Sequence, residues 1–442
     1  RSFRAKKEPS SFLRQPKTSL ANNHTNYETN STNAGGAWVL QQKLSLGNHS
    51  DSVTAQGRRV RVRAFGSALA MEGNVLVVGA PRLPFGNNDD FYELNHYGRV
   101  YVYNRRPQES SETTSSSSSW VLQEELYPEP CEAFCFRNFG AALALHGDTL
   151  VATAPDGSPH DAAYIFERRL ATELSSSSVA AHKTGRFSEG SEYHWTLVGN
   201  LTKWDETDKH FWRFGDSLAL KDNRLVIGHN SWAAYMFQKS STSGRWEPAL
   251  KILPNDGSDT YGTGFGRSVA LAGEDQVLVS APFAGQIYSF LNNGQSFHQC
   301  LTSEQQNKTV DIPYGNYDVQ FGSAMIAKDD LMVASWLTFP YARGNAIVFV
   351  WHNNAWYSVG TVSGLGKGDL FASQSAMIAI DTHWVAIGAT QDFDDYNSEK
   401  GRGYVTLFHR KCSSLSVLEY ITTSTTISNG PVSYTHLRAH ET

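Results

Sequence analysis
A Phe-Gly pair recurs along the chain, at Phe65-Gly66, Phe139-Gly140, Phe214-Gly215, Phe265-Gly266 and Phe321-Gly322. Each pair leads into an apolar run: Val75–Ala80, Leu150–Ala154, Leu225–Gly228, Val277–Ala281 and Leu331–Ala334. A second run follows, as in Gly98–Tyr103, Ala163–Phe166, Ala234–Phe237, Gln286–Phe290 and Ala346–Phe349. A further run opens on an aromatic, as at Trp120, Trp195, Trp246 and Trp356. A worn sixth copy starts near Phe371 and continues through Trp384–Ala389 and Gly403–Phe408. Short apolar or alternating runs separated by turn residues read as antiparallel strands. Self-similarity at a spacing of about 50 to 75 residues means a fold built by repetition.

Four strands per copy is the dimension of a propeller blade, so the expected fold is all-β: a β-propeller of four-stranded antiparallel blades. Six repeats are visible, and a seven-bladed native ring is expected. The glycine after Phe lets the backbone turn closely into the first strand. The Phe is an apolar anchor able to wedge between sheets. Proline after the second strand, as at Pro81, Pro155 and Pro282, stops the ladder because it has no N–H to donate. The Phe-Gly strand should lie nearest the axis and the Trp-led strand outermost.

This pattern resembles the FG-GAP repeat of the integrin alpha-chain propeller, over roughly Trp38 to Phe408. The resemblance implies a non-catalytic extracellular or cell-surface adhesion module presenting loops to a protein or glycan partner. The alternative is the ancillary propeller of a secreted hydrolase whose catalytic part lies elsewhere, or a propeller that is itself hydrolytic. Many FG-GAP copies carry a calcium loop between their first two strands. Here those connections are short turns such as Met71–Asn74, His146–Asp148, Lys221–Asn223 and Lys328–Asp330, with too few oxygen donors for a calcium cage. No cofactor is therefore expected. Asp392, Asp394 and Asp395 remain weak candidates for a metal, lacking the glycine and terminal acid of a calcium loop.

The domain reading is a polar N-terminal tail over residues 1–36, the propeller over 37–421, and an unstructured tail over 422–442. Residues 432–442 resemble a translated sequencing adapter and are set aside, so the chain reads as a fragment. Trp38–Leu44 has a fourth-strand pattern with no first three strands before it, and reads as a clasp closing the ring. Serine-rich stretches over 108–119 and 170–192 read as insertions between third and fourth strands.

With 43 acidic against 38 basic residues the net charge is −5, which excludes a broad basic footprint for nucleic acid. No run approaches the ~18 apolar residues of a membrane helix, so membrane attachment would need sequence beyond these ends. Cys131 and Cys135 read as a small local disulfide, with a zinc half-site as the alternative; Cys300 and Cys412 have no assigned pairing. Glycosylation triplets at Asn23, Asn30, Asn48, Asn200 and Asn307 favour a secreted or cell-surface chain.

Successive turns of a meander alternate between the two ends of a blade, so the second-to-third loops and the loops between blades share one end. That end collects aromatics and acids: Asp89, Asp90, Tyr92, Trp204, Tyr261, Tyr317, Asp394 and Tyr396. They are the expected partner-binding residues, since rigid aromatics give contact area and acids give orientation. No nucleophile elbow, zinc-protease pair or phosphate-binding loop occurs, so no catalytic residue is assigned.

Overall fold
The protein is described by a computed structural model covering residues 42, 44, 51–53, 59–61, 65–81, 98–107, 118–128, 138–155, 162–171, 192–203, 213–230, 232–254, 260–292, 296–302, 319–338, 343–352, 355–363, 369–371, 378–381, 384–391, 404–410 and 420–422. Strands β1 (Asp51–Val53) and β2 (Arg59–Arg61) form a small antiparallel pair. Six antiparallel sheets follow among the described residues. The first holds β3 (Ala68–Glu72), β4 (Val75–Ala80), β5 (Arg99–Pro107) and β6 (Ser118–Leu126). The second holds β7 (Leu143–His146), β8 (Thr149–Ala154), β9 (Ala162–Leu170) and β10 (Tyr193–Leu201). The third holds β11 (Phe214–Lys221), β12 (Arg224–His229), β13 (Ala233–Lys239) and β14 (Trp246–Ile252). The fourth holds β15 (Val269–Ala272), β16 (Gln276–Ala281), β17 (Gln286–Asn292) and β18 (Ser296–Thr302). The fifth holds β19 (Val319–Lys328), β20 (Leu331–Thr338), β21 (Arg343–His352) and β22 (Ala355–Ser363). In the sixth, β23 (Asp369–Phe371) and β24 (Ile378–Ile380) both pair with β25 (Trp384–Gln391), followed by β26 (Tyr404–Arg410) and β27 (Tyr420–Thr422).

In the first five sheets the strands are hydrogen-bonded in chain order, and inner strands of successive sheets lie side by side: β3 by β7, β7 by β11, β11 by β15, β15 by β19 and β19 by β24. This is a β-propeller with the Phe-Gly strands innermost. The sixth blade takes its outer strand, β27, from its own end of the chain. The expected seventh blade has no counterpart among the described residues. Of the clasp Trp38–Leu44, only Gln42 and Leu44 are described. The Gln42 amide exchanges two hydrogen bonds with the Trp120 backbone, at 2.9 and 2.7 Å, and Leu44 packs against the face of blade 1 that carries Val78 and Tyr101.

The core lies between blades. β8, β12 and β16 are buried along their whole length, because each is covered on both faces by neighbouring sheets. This explains their continuous apolar runs. Phe139, Phe214, Phe265 and Phe321 are each at most 1% exposed and wedge into successive inter-blade clusters. Each of the first three meets a third-strand tyrosine edge-on: Phe139 with Tyr164 at 5.6 Å, Phe214 with Tyr235 at 5.6 Å and Phe265 with Tyr288 at 5.4 Å. Burial pushes the Tyr164 phenol up to about 12.

The glycine of each pair has a conformational role, and in some blades a packing role as well. Gly66, Gly140, Gly215, Gly266 and Gly322 all have φ between 82° and 97°, a region that suits glycine. In blades 2 and 4 it also lies against a second-strand glycine of the preceding blade: a Cβ on Gly79 would lie 2.2 Å from the Gly140 carbonyl oxygen, and one on Gly228 would lie 2.1 Å from that of Gly266. Where the preceding strand carries a hydroxyl instead, it serves the ladder within its own blade. Thr153 Oγ1, Ser280 Oγ and Ser335 Oγ accept the N–H groups of Ala142, Ser268 and Ala324 at 3.1, 3.0 and 2.8 Å.

The first-to-second connections are tight turns, with left-handed residues at Gly73, Gly147, Asp222, Gly273 and Asp329. On these turns, polar side-chain contacts link blades: His146 with Glu72 and Asp222, and Lys328 with Asp381, join neighbours, while Lys221 reaches from blade 3 past the blade 4 turn to Asp329 of blade 5.

Candidate anion-binding site
The repeat frame fixes two positions at the loop end of each inner strand: the residue before Phe-Gly and the residue after it. In blades 3, 4 and 5 these are Arg213 and Asp216, Gly264 and Arg267, and Gln320 and Ser323. In blades 2, 3 and 4 the two positions are joined by a turn hydrogen bond, from Ala141 N–H to Asn138 at 3.0 Å, Asp216 N–H to Arg213 at 3.3 Å and Arg267 N–H to Gly264 at 2.9 Å.

In blades 3 to 5 four of these residues, Arg213, Arg267, Gln320 and Ser323, wall one cavity of about 350 Å³ together with Asn230, Pro282 and Phe283. This volume suits a small molecule. Phe283 belongs to a single helical turn, Pro282–Ala284, closed by left-handed Gly285. Its N–H bonds the Thr263 carbonyl at 2.9 Å. The turn can sit there because Gly264 has no Cβ, which would come within 2.9 Å of the Phe283 ring. Phe283 keeps 53% of its surface exposed.

Asp216 organises the charge. Its Oδ2 lies 3.8 Å from Arg213 Nη1 and 3.8 Å from Arg267 Nη1, and it accepts a hydrogen bond from Asn230 Nδ2 at 3.3 Å. At 3.8 Å the guanidinium groups are attracted to the carboxylate without spending their N–H donors on it. Among the described residues, two guanidinium groups thus stand against one carboxylate at this cavity. Ser323 Oγ donates to Gln320 Oε1 at 3.2 Å, which leaves the Gln320 amide N–H₂ as a further donor type. Such a site can hold a carboxylate or phosphate through forked guanidinium contacts. Asn, Gln and Ser suit hydroxyl groups, and Phe283 offers an apolar face.

Of the residues expected from sequence to bind a partner, Tyr261 is described. It is 68% exposed, with its ring 5.5 Å from that of Trp232, in the loop that leads to Gly264. Asp89, Asp90, Tyr92, Trp204, Tyr317, Asp394 and Tyr396 lie outside the described residues, as do Asp392, Asp395, Cys131, Cys135, Cys412, Asn23, Asn30, Asn48 and Asn307. Asn200 is exposed on β10. Cys300 lies on β18 opposite Tyr288. Among the described residues no cluster of His, Cys, Asp and Glu could hold a metal. No helix there is long and apolar enough to cross a membrane.

Arg213, Asp216 and Arg267 were not among the sequence candidates. The signal available was variation within the frame: the residue after Phe-Gly runs Ser67, Ala141, Asp216, Arg267, Ser323. Opposite charges therefore stand at equivalent places in adjacent blades.

No known family's sequence profile matches the chain, and no curated protein sequence does. Among solved structures, similar chains include a periplasmic gluconolactonase of Pseudomonas aeruginosa (12% identity, 80% of this chain and 84% of that one, TM-score 0.45). Others are a protein from Lactobacillus plantarum (11%, 84% and 89%, 0.44) and a putative 6-phosphogluconolactonase of Bacteroides fragilis (9%, 83% and 86%, 0.43).

These findings overturn the FG-GAP reading. No family profile matches the chain, that of the FG-GAP repeat included, and none of the similar structures named above is an integrin chain. The resemblance rested on Phe-Gly and the proline after the second strand. The structure gives both a purely architectural reason: glycine for the close approach of blades, proline for stopping a ladder. Such residues mark blade packing and carry no information about a ligand. The integrin-like adhesion function and the assignment as a non-enzyme fall with it.

Proposed function
We propose that the Arg213–Asp216–Arg267 cavity binds a small hydroxylated carboxylate, and that the reaction it is equipped for is hydrolysis of the internal ester, the lactone, of such an acid. The observation that carries this reading is the pair of guanidinium groups set 3.8 Å from one carboxylate oxygen in a cavity of small-molecule size. In lactone opening, water adds to the acyl carbon, the ring C–O bond breaks, and the ring oxygen leaves as a hydroxyl. The product carboxylate remains and a proton goes to solvent. Guanidinium donors stabilise the oxyanion that forms on the carbonyl oxygen and then hold the carboxylate. Asp216, beside both arginines, is assigned the role of orienting the attacking water. The named lactonases supply the choice of test compounds and nothing more.

Calorimetry with D-gluconate and 6-phosphogluconate, beside a hydrolysis assay on D-glucono-δ-lactone, tests the reading. Binding should be lost or weakened by about tenfold or more in Arg267→Ala, as expected for removing a charge-assisted contact. Lactone opening above the spontaneous rate should fall in Asp216→Asn. No binding and no rate enhancement in the wild-type chain would reject the proposal. The accessible Asn200 sequon further supports export of the chain, to the cell surface or beyond it. Loss of a glycosidase-sensitive gel shift in Asn200→Gln, for chain expressed through a secretory route, is the corresponding check.

A further inference from the structure
The residue before Phe-Gly is left-handed in three successive blades: Asn138 at φ 59°, Arg213 at φ 76° and Gly264 at φ 74°. The turn is imposed by the fold, since its hydrogen bond recurs in all three. Arg213 is further tied to blade 2 by its N–H, which donates to the Pro155 carbonyl at 3.1 Å. Glycine and asparagine tolerate this conformation, and two of the blades use them. Arginine does not favour it, because its Cβ crowds the following carbonyl. Packing does not explain the choice either: the Arg213 side chain is 56% exposed, and its charged contact is with Asp216 at 3.8 Å. A residue kept in a costly conformation at the wall of a cavity points to a role in that cavity.

We propose that Arg213 is the affinity-determining residue for the anionic group of the ligand, held at the expense of fold stability. This rests on the reading of the cavity given above. Arg267 stands in an ordinary backbone conformation at the neighbouring frame position. Arg213 is therefore the member of the pair whose removal should improve the scaffold while impairing the site.

The test combines thermal melts with calorimetry on the whole chain, using D-gluconate and 6-phosphogluconate as probes. Arg213→Gly should melt higher than wild type by about 2–4 °C and bind about tenfold or more weakly. Arg213→Asn should behave alike. Arg213→Lys should keep the backbone penalty and recover part of the affinity, with a steeper salt dependence than the glycine variant. Asn138→Gly, the equivalent change one blade earlier, should leave binding unchanged. If Arg213→Gly binds like wild type while Arg267→Ala does not, Arg213 has no role in affinity and this inference fails alone. A lower melting temperature for Arg213→Gly would also overturn it. Absence of probe binding by the wild-type chain would reject the cavity reading, and the inference with it.

Discussion

At the scale of single residues, glycines of this chain divide into two kinds that look alike in sequence. Gly73 sits in a hairpin turn at φ 57°, with open space where a Cβ would go. Gly79 has an ordinary backbone, but its missing Cβ is where blade 2 comes in, with the Gly140 carbonyl 2.2 Å from that point. The first tolerates alanine at the conformational cost alone, about 1–2 kcal/mol. The second cannot accept it without moving two blades apart, so Gly79→Ala should cost about 3 kcal/mol or more. Urea unfolding of the two variants checks this: a midpoint for Gly79→Ala equal to or above that of Gly73→Ala would mean that the blades do not meet as described. The Phe of each Phe-Gly pair was legible as a core anchor, because a large apolar side chain at a fixed place in every copy has nowhere else to go. That its glycine also serves the neighbouring blade was not legible, since the contact joins residues of different repeats.

At the scale of elements, the outer strands carry a regularity that sequence periodicity hides. β6, β10, β14 and β22 each skip one residue in their pairing, at Gln123, Val198, Ala249 and Val359. Each of these lies three positions after the leading Trp120, Trp195, Trp246 or Trp356. β18, which opens on Ser296-Phe297 with no tryptophan, pairs without a break. The tryptophan marker thus indicated a bulged strand, but a bulge inverts the in–out alternation that strand reading depends on. Side-chain bonds between strands of adjacent blades supplement the core. Lys239 on β13 reaches Glu167 on β9 at 2.9 Å, and Arg169 reaches the same carboxylate at 3.1 Å. Burial acts to raise the Glu167 pKa, but the hydrogen bonds and charges of Lys239 and Arg169 outweigh it and hold the carboxyl below its ordinary value. A depressed folded value means that the contribution is full above the ordinary pKa and is lost as pH falls through the folded one. Lys239→Met should therefore lower stability by up to about 1 kcal/mol near neutral pH, with the difference from wild type closing in acid. Melting curves of both proteins from about pH 7 to about pH 3 read this directly, and a gap that widens in acid would refute the assignment.

At the scale of the whole molecule, repetition made the architecture readable while concealing the site. Six copies of one pattern specify six sheets, because a single blade exposes both faces and needs neighbours to cover them. The cavity draws on isolated positions in three copies: Arg267 and Ser323 after the pairs, Arg213 and Gln320 before them, with Asp216 beside the two arginines. No contiguous motif contains them. Aromatic and acidic loops drew attention instead, and of those loops Tyr261 is the residue whose position is described, on the same loop as Gly264 of the cavity frame. The residues of the cavity were not legible, because each is a single variable position inside an otherwise repeated frame. A crystal structure of the chain grown with D-gluconate is the most direct measurement. The carboxylate of the ligand is expected between the Arg213 and Arg267 guanidinium groups, within hydrogen-bond distance of both and beside Asp216. Ligand density elsewhere on the propeller, or a cavity still empty of ligand at saturating gluconate, would contradict the assignment of this site.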